Sequence, residues 1–85
     1  MNDGPVVGAM YQRSAKETVY IYPRPQIGTS LSYKVIEIVQ GGQLIVILDS
    51  LVSLPSSVLI LTPKGMVGRM TWNGDLWEMV RKCWT

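Results

Sequence analysis

The chain has 85 residues, with eight Lys and Arg against six Asp and Glu, one Cys and no His. That length holds one small domain, which buries only about 60–65% of the surface of its unfolded chain. A net charge of +2 is too small to indicate nucleic acid by electrostatics alone. Without His the commonest general base and metal ligand are gone, together with every Ser-His or Cys-His nucleophile pair. Cys83, being alone, makes neither an internal disulfide nor a cysteine zinc site.

Residues 1–14 are mixed and Gly-rich and read as an N-terminal arm or an irregular first strand, leaving 15–85 as a single domain. Met1 to Pro5 lacks the basic and apolar segments of a cleavable signal. The longest apolar runs, Leu44–Leu48 and Val58–Leu61, fall far short of the about 20 residues of a membrane helix. The expectation is no membrane insertion and a place in the cytoplasm or within a larger particle.

Glu17 to Tyr22 is a β-branched and aromatic run that reads as a strand. It ends at Pro23-Arg24-Pro25, where proline removes ladder donors. Gln26 to Ser32 is a loop and Tyr33 to Gln40 the next strand. Gly41-Gly42 reads as a hairpin turn, because two-residue turns favour positive φ, with Gln43 to Asp49 pairing back. Ser50 to Ser57 is a loop. Val58 to Thr62 and Met66 to Trp72 are strands around the turn Pro63-Lys64-Gly65, and Asn73-Gly74 is a further turn. Leu76 to Trp84 fits two patterns. Alternation makes it a strand through about Val80 with the last residues turning helically. Asp75 with Glu78 also forms a capping-box pattern for a helix, with Leu76, Met79, Val80 and Cys83 on one face. There is no internal repeat.

The segment Ser32-Tyr33-Lys34-Val35-Ile36-Glu37-Ile38-Val39-Gln40-Gly41-Gly42-Gln43-Leu44-Ile45-Val46-Ile47-Leu48 resembles the middle of bacterial-type SH3-like domains. There a Lys-Val-Ile strand meets a Gly turn and then alternating valines. Val58 to Met70 is similar to that family's later strand, turn and Gly-Trp-Val strand, and Tyr20 to Pro25 stands where its Asn-Val-Arg segment begins. The resemblance spans about Tyr20 to Leu76. It implies an all-β fold, a small SH3-like barrel of five or six short antiparallel strands. Two aromatics that often line the family's ligand groove are replaced, by Ser57-Val58 and by Arg69, which removes the basis for carrying over its cell-wall or peptide role.

Four groups of residues bear on function. A barrel strand with one face in water alternates, but Leu44–Leu48 and Val58–Leu61 do not. Either the chain's own ends cover the outer face, or a partner does. So short a chain has little to spare for covering, which favours an interface carried by Leu44, Val46, Leu48, Leu59, Leu61, Trp77 and Trp84. Ile45 and Leu59 are alternative test positions, depending on which points outward.

The second group, Tyr20, Tyr22, Arg24 and Tyr33, reads either as a cluster closing the barrel edge or as a groove for an extended peptide, a cell-wall fragment or single-stranded nucleic acid. Scattered basic residues interrupted by Glu17 and Glu37 argue against nucleic acid. Third, Trp72 and Trp77 flank the Asn73-Gly74-Asp75 turn and suit packing across a hairpin. Fourth, no spacing among Asp3, Glu17, Glu37, Asp49, Asp75 and Glu78 assembles a catalytic carboxylate pair, so they read as surface and turn residues. Cys83, beside Arg81 and Lys82, reads as packing.

The sequence therefore describes a non-enzymatic module with no cofactor and no metal, acting through protein contact or self-association. A small viral or phage structural protein is one example of such a component.

Overall fold

Branched and aromatic side chains favour extended backbone because they pack on a pleated surface, and they mark most of the strands here. The computed structural model describes residues 4–14, 16–26, 28–51, 54 and 56–81. Seven strands form within them: β1 Met10–Arg13, β2 Val19–Pro23, β3 Glu37–Val39, β4 Leu44–Ser50, β5 Ser57–Leu61, β6 Val67–Thr71 and β7 Trp77–Arg81. They pair antiparallel in the order β3-β2-β6-β5-β4-β1-β7 and curl into a half-barrel. Five or six strands were expected. The additional one is β1, which lies between β4 and β7, inside the residues read as an arm or an irregular first strand. Its polar and apolar side chains hid it, yet Tyr11 and Arg13 both turn inward and are buried.

β4 is an interior strand of the sheet. It is bonded to β1 on one edge and to β5 on the other. Ile45, Val46 and Ile47 are all nearly inaccessible, so a continuous apolar run is covered on both faces. The concave face carries the core, in which Ile21, Ile45, Ile47, Val58, Ile60 and Met70 are almost fully buried. Leu48 is the extra residue at a break in the β4–β5 register between Ile47 and Asp49, a bulge of the kind that bends a strand and helps a sheet curl.

Two expected hairpins are not hairpins. Gln40 to Gln43 does make a tight turn, with Gly42 at φ +87° and the Gln43 N–H donating to Gln40 O at 3.1 Å. The strands it joins do not pair. Both edges of β4 are already taken, and the turn itself is tied to β1, through Gly42 N–H to Arg13 O and Arg13 N–H to Gln43 O, each at 2.9 Å. β3 is instead the partner of β2, and only Glu37–Val39 of the longer expected strand is extended in the sheet.

At Asn73-Gly74 the chain makes a 3-10 turn, Gly74–Leu76, and β7 then crosses to β1 rather than returning along β6. The helical turn thus precedes the last strand. Its cap is Asn73, whose side chain accepts from the Asp75 N–H, and not Asp75. Of the last residues, expected to turn helically after about Val80, Arg81 still belongs to β7 and 82–85 lie outside the described residues. The Thr62–Met66 turn is a true hairpin, joining β5 to β6 with Gly65 at φ +84°.

Glu37, read as a surface acid, is buried. A carboxylate out of water needs donors, and it has two at the β5–β6 turn. The Thr62 hydroxyl donates to Oε1 at 2.5 Å and the Lys64 N–H to Oε2 at 3.2 Å, while the Met66 N–H donates to the Thr62 oxygen at 3.0 Å. This network ties β3 to a turn 25 residues away in sequence. Glu37→Ala is expected to cost about 1–3 kcal/mol in urea denaturation, the desolvation penalty of stranded donors. Glu37→Gln, which still presents an accepting oxygen, is expected to cost less.

β2 and β6 approach closely at Gly68. A Cβ there would stand 2.3 Å from Ile21 Cγ2 and 3.0 Å from the Tyr22 carbonyl oxygen. Ile21 is fully buried, so its methyl has nowhere to retreat. Gly68→Ala is expected to lower stability by about 1–3 kcal/mol through overpacking. A variant as stable as the parent would mean that the two strands separate more readily than this contact implies.

Candidate partner surface and an arginine-centred pocket

Residues opposite one another in an antiparallel pair share a face, so the register determines what lies together on the convex side. Met10 stands opposite Val46, Val46 opposite Leu61, and Leu61 opposite Val67. These four apolar residues make one row across β1, β4, β5 and β6. Val46 is buried, and Met10, Leu61 and Val67 are half-buried. Leu44, opposite Gln12, and the bulged Leu48 flank the row and are exposed. Leu59, half-buried, lies in the next row, opposite Arg69. The expected interface residues Leu44, Val46, Leu48, Leu59 and Leu61 are thus neighbours on β4 and β5, with Val46 already covered by the chain itself. Ile45 faces the core, leaving Leu59 as the outward test position.

Trp77 is not part of that surface. It is buried, with Arg13 lying over its ring at 5.1 Å and Trp72 stacked on it at 6.2 Å and 13°. Tyr11 meets Trp72 edge-on at 4.8 Å, and its hydroxyl accepts from the Val6 N–H at 3.0 Å. Trp72 and Trp77 therefore do pack together, but across a 3-10 turn and against β1 rather than across a hairpin. Arg13 donates from Nε to the Glu17 carbonyl at 3.3 Å. Burial lowers its pKa, and the nearby Glu17 carboxylate acts in the opposite direction. Trp84 lies outside the described residues.

The tyrosines divide. Tyr20 stands opposite Ile38 and both are exposed. Tyr22 stands opposite Arg69 and meets Tyr33 edge-to-face at 5.7 Å and 71°. Arg24, expected to supply the charge of this groove, instead lines a neighbouring cleft of about 480 Å³ with Pro25, Gln26, Leu51 and Leu59. The charge comes from Arg69. Its guanidinium lies 5.5 Å from the Tyr22 ring and 5.2 Å from the Tyr33 ring, and its residue is only 4% exposed. It donates from Nη2 to Ser32 O at 2.9 Å and from Nη1 to Pro23 O at 3.4 Å. One side chain of β6 thereby holds both ends of the segment between β2 and Tyr33. Sequence reasoning noted Arg69 only as a departure from an aromatic position and did not place it in the groove.

Among the described residues no three His, Cys, Asp or Glu side chains come together as a metal site, and no helix is long and apolar enough to cross a membrane. Set against known protein families, curated proteins and solved structures, the chain finds no match in any of the three.

Tyr33 is 70% exposed, so it buries little area and its main attachments are Tyr22 and Arg69. Tyr33→Ala is expected to lower stability by about 0.5–2 kcal/mol in urea denaturation, the range of a partly desolvated cation–π contact. An unchanged midpoint would mean that Tyr22 alone holds the guanidinium.

Proposed function

We propose that this protein is a non-enzymatic interaction module, an SH3-like small barrel whose convex face receives a protein partner or a second copy. The observation that carries this reading is an outward apolar group, the exposed Leu44 and Leu48 with the half-buried Met10, Leu59, Leu61 and Val67, set around the covered Val46. Scattered exposed apolar residues are ordinary on a soluble protein, whereas a contiguous patch marks a contact site. The contact would gain from burying that area, at about 25 cal/mol per Å² before ordering costs are subtracted. The SH3-like assignment draws on the successive pairing of β4, β5 and β6, and on a last strand that follows a 3-10 turn and returns beside β1. A second reading, a ligand groove beside Tyr22 and Tyr33, is favoured by the Arg69 geometry.

Light scattering after size exclusion, at several concentrations, tests the first reading. A defined oligomer is expected, and Leu59→Asp is expected to weaken it by about 30-fold or more, equivalent to the roughly 2 kcal/mol lost at an interface hot spot. If the protein is a monomer, capture of partners from cells of its source with the parent and with folded Leu59→Asp decides. A partner set that ignores both Leu59→Asp and Leu44→Asp overturns the convex-face reading.

A further inference from the structure

Arg69 is a buried cation whose named partners are neutral. Taking a charge out of water is costly unless an opposite charge or a full set of hydrogen bonds replaces the lost hydration. Two aromatic faces and two carbonyl oxygens do part of this. Among the described residues no carboxylate makes an ion pair with it. A guanidinium has five N–H groups, and only two of them meet an acceptor here. No buried side-chain nitrogen or oxygen among the described residues lacks a partner. Nε, which bonds none, is therefore not sealed from solvent.

It has somewhere to face. A cavity of about 130 Å³ is lined by Arg69 itself, with Tyr22, Tyr33, Ser57 and Thr71 and the apolar Leu31, Leu54 and Met70. Ser57 and Thr71 stand opposite each other across β5 and β6, so two residues bearing hydroxyl donors share one side of the cavity. The cavity opens to solvent on one side, and the space has room for a small planar or tetrahedral anion. Arg69 is the only charged side chain among the residues that line it, and none of them is acidic.

From this we propose that the cavity is a binding site for a small oxyanion. The group expected is a carboxylate, from an acidic side chain or a chain terminus, held by Arg69 Nε–H and the Ser57 and Thr71 hydroxyls. Arginine suits planar oxyanions because its donors lie in a fixed fork. The tyrosine pair, already occupied by this internal cation, is unsuited to a cationic ligand. The site does not require the convex-face contact and holds equally for a monomer.

The test is an NMR titration of the full chain with sodium acetate and, separately, with inorganic phosphate, against sodium chloride at matched ionic strength. The Arg69 Nε–H signal and the Ser57 and Thr71 amides are followed. Saturable shifts confined to the cavity, in the millimolar range, are expected with acetate and not with chloride. They should weaken at least tenfold in Arg69→Gln and severalfold in the double variant Ser57→Ala with Thr71→Val. Saturation by phosphate rather than acetate would keep the oxyanion site and assign it to a phosphoryl group. Because Arg69 also holds backbone carbonyls, the double variant decides if Arg69→Gln does not fold. Shifts that grow linearly as with chloride, or saturable shifts undiminished in the folded variants, overturn the proposal.

Discussion

The architecture depends on a strand with no free side. β4 is hydrogen-bonded on both edges and covered on both faces at Ile45, Val46 and Ile47. Because its edges belong to β1 and β5, β3 must find its partner elsewhere and takes β2. That places the β2–β3 pair at the far side of β6, and the half-barrel follows. The bulge at Leu48 and the close passage of Ile21 over Gly68 supply the bend and the tight packing that this arrangement requires.

Polar groups then lock the segments that the core does not reach. Glu37 ties β3 to the β5–β6 turn, and Arg69 ties the segment after β2 to β6. Each is a buried charge fixing chain that is distant in sequence. They differ in how completely they are satisfied. Both Glu37 oxygens accept a bond from a turn donor, whereas only two of the Arg69 N–H groups meet an acceptor and the residue lines a cavity.

The convex row and the arginine cavity are close. Leu59, which lines the cleft beside Arg24 and Pro25, stands directly opposite Arg69. An apolar surface and the pocket proposed for an oxyanion therefore adjoin on one side of the sheet. A partner presenting an acidic group beside apolar side chains could engage both, the apolar area supplying contact energy and the charge supplying orientation.

Local chemistry was legible in the chain. Branched runs marked β2, β4 and β5, the Pro63-Lys64-Gly65 turn marked the start of β6, and unbroken apolar character in β4 announced cover on both faces. The absence of His and the single Cys removed whole classes of mechanism. Other features were not legible, for identifiable reasons. β1 lacks a branched run, so the sequence left an arm and an irregular strand as alternatives, and its two pairing partners decide between them. The Gly41-Gly42 and Asn73-Gly74 turns are local, but which strand each delivers to which edge depends on edges already taken. Trp77 looked like a contact residue because composition records an indole and not what lies over it. Arg69 showed as a charge where an aromatic was expected, yet its role arises only when Tyr22, Tyr33, Ser32 and Pro23 converge on it. Sequence alone determined which stretches extend and which residues shun water, since backbone preference and hydrophobicity act within a few residues. Tertiary structure alone decided pairing order, the burial of Glu37 and Arg69 and the cavity between strands, because these depend on contacts between residues far apart in the chain.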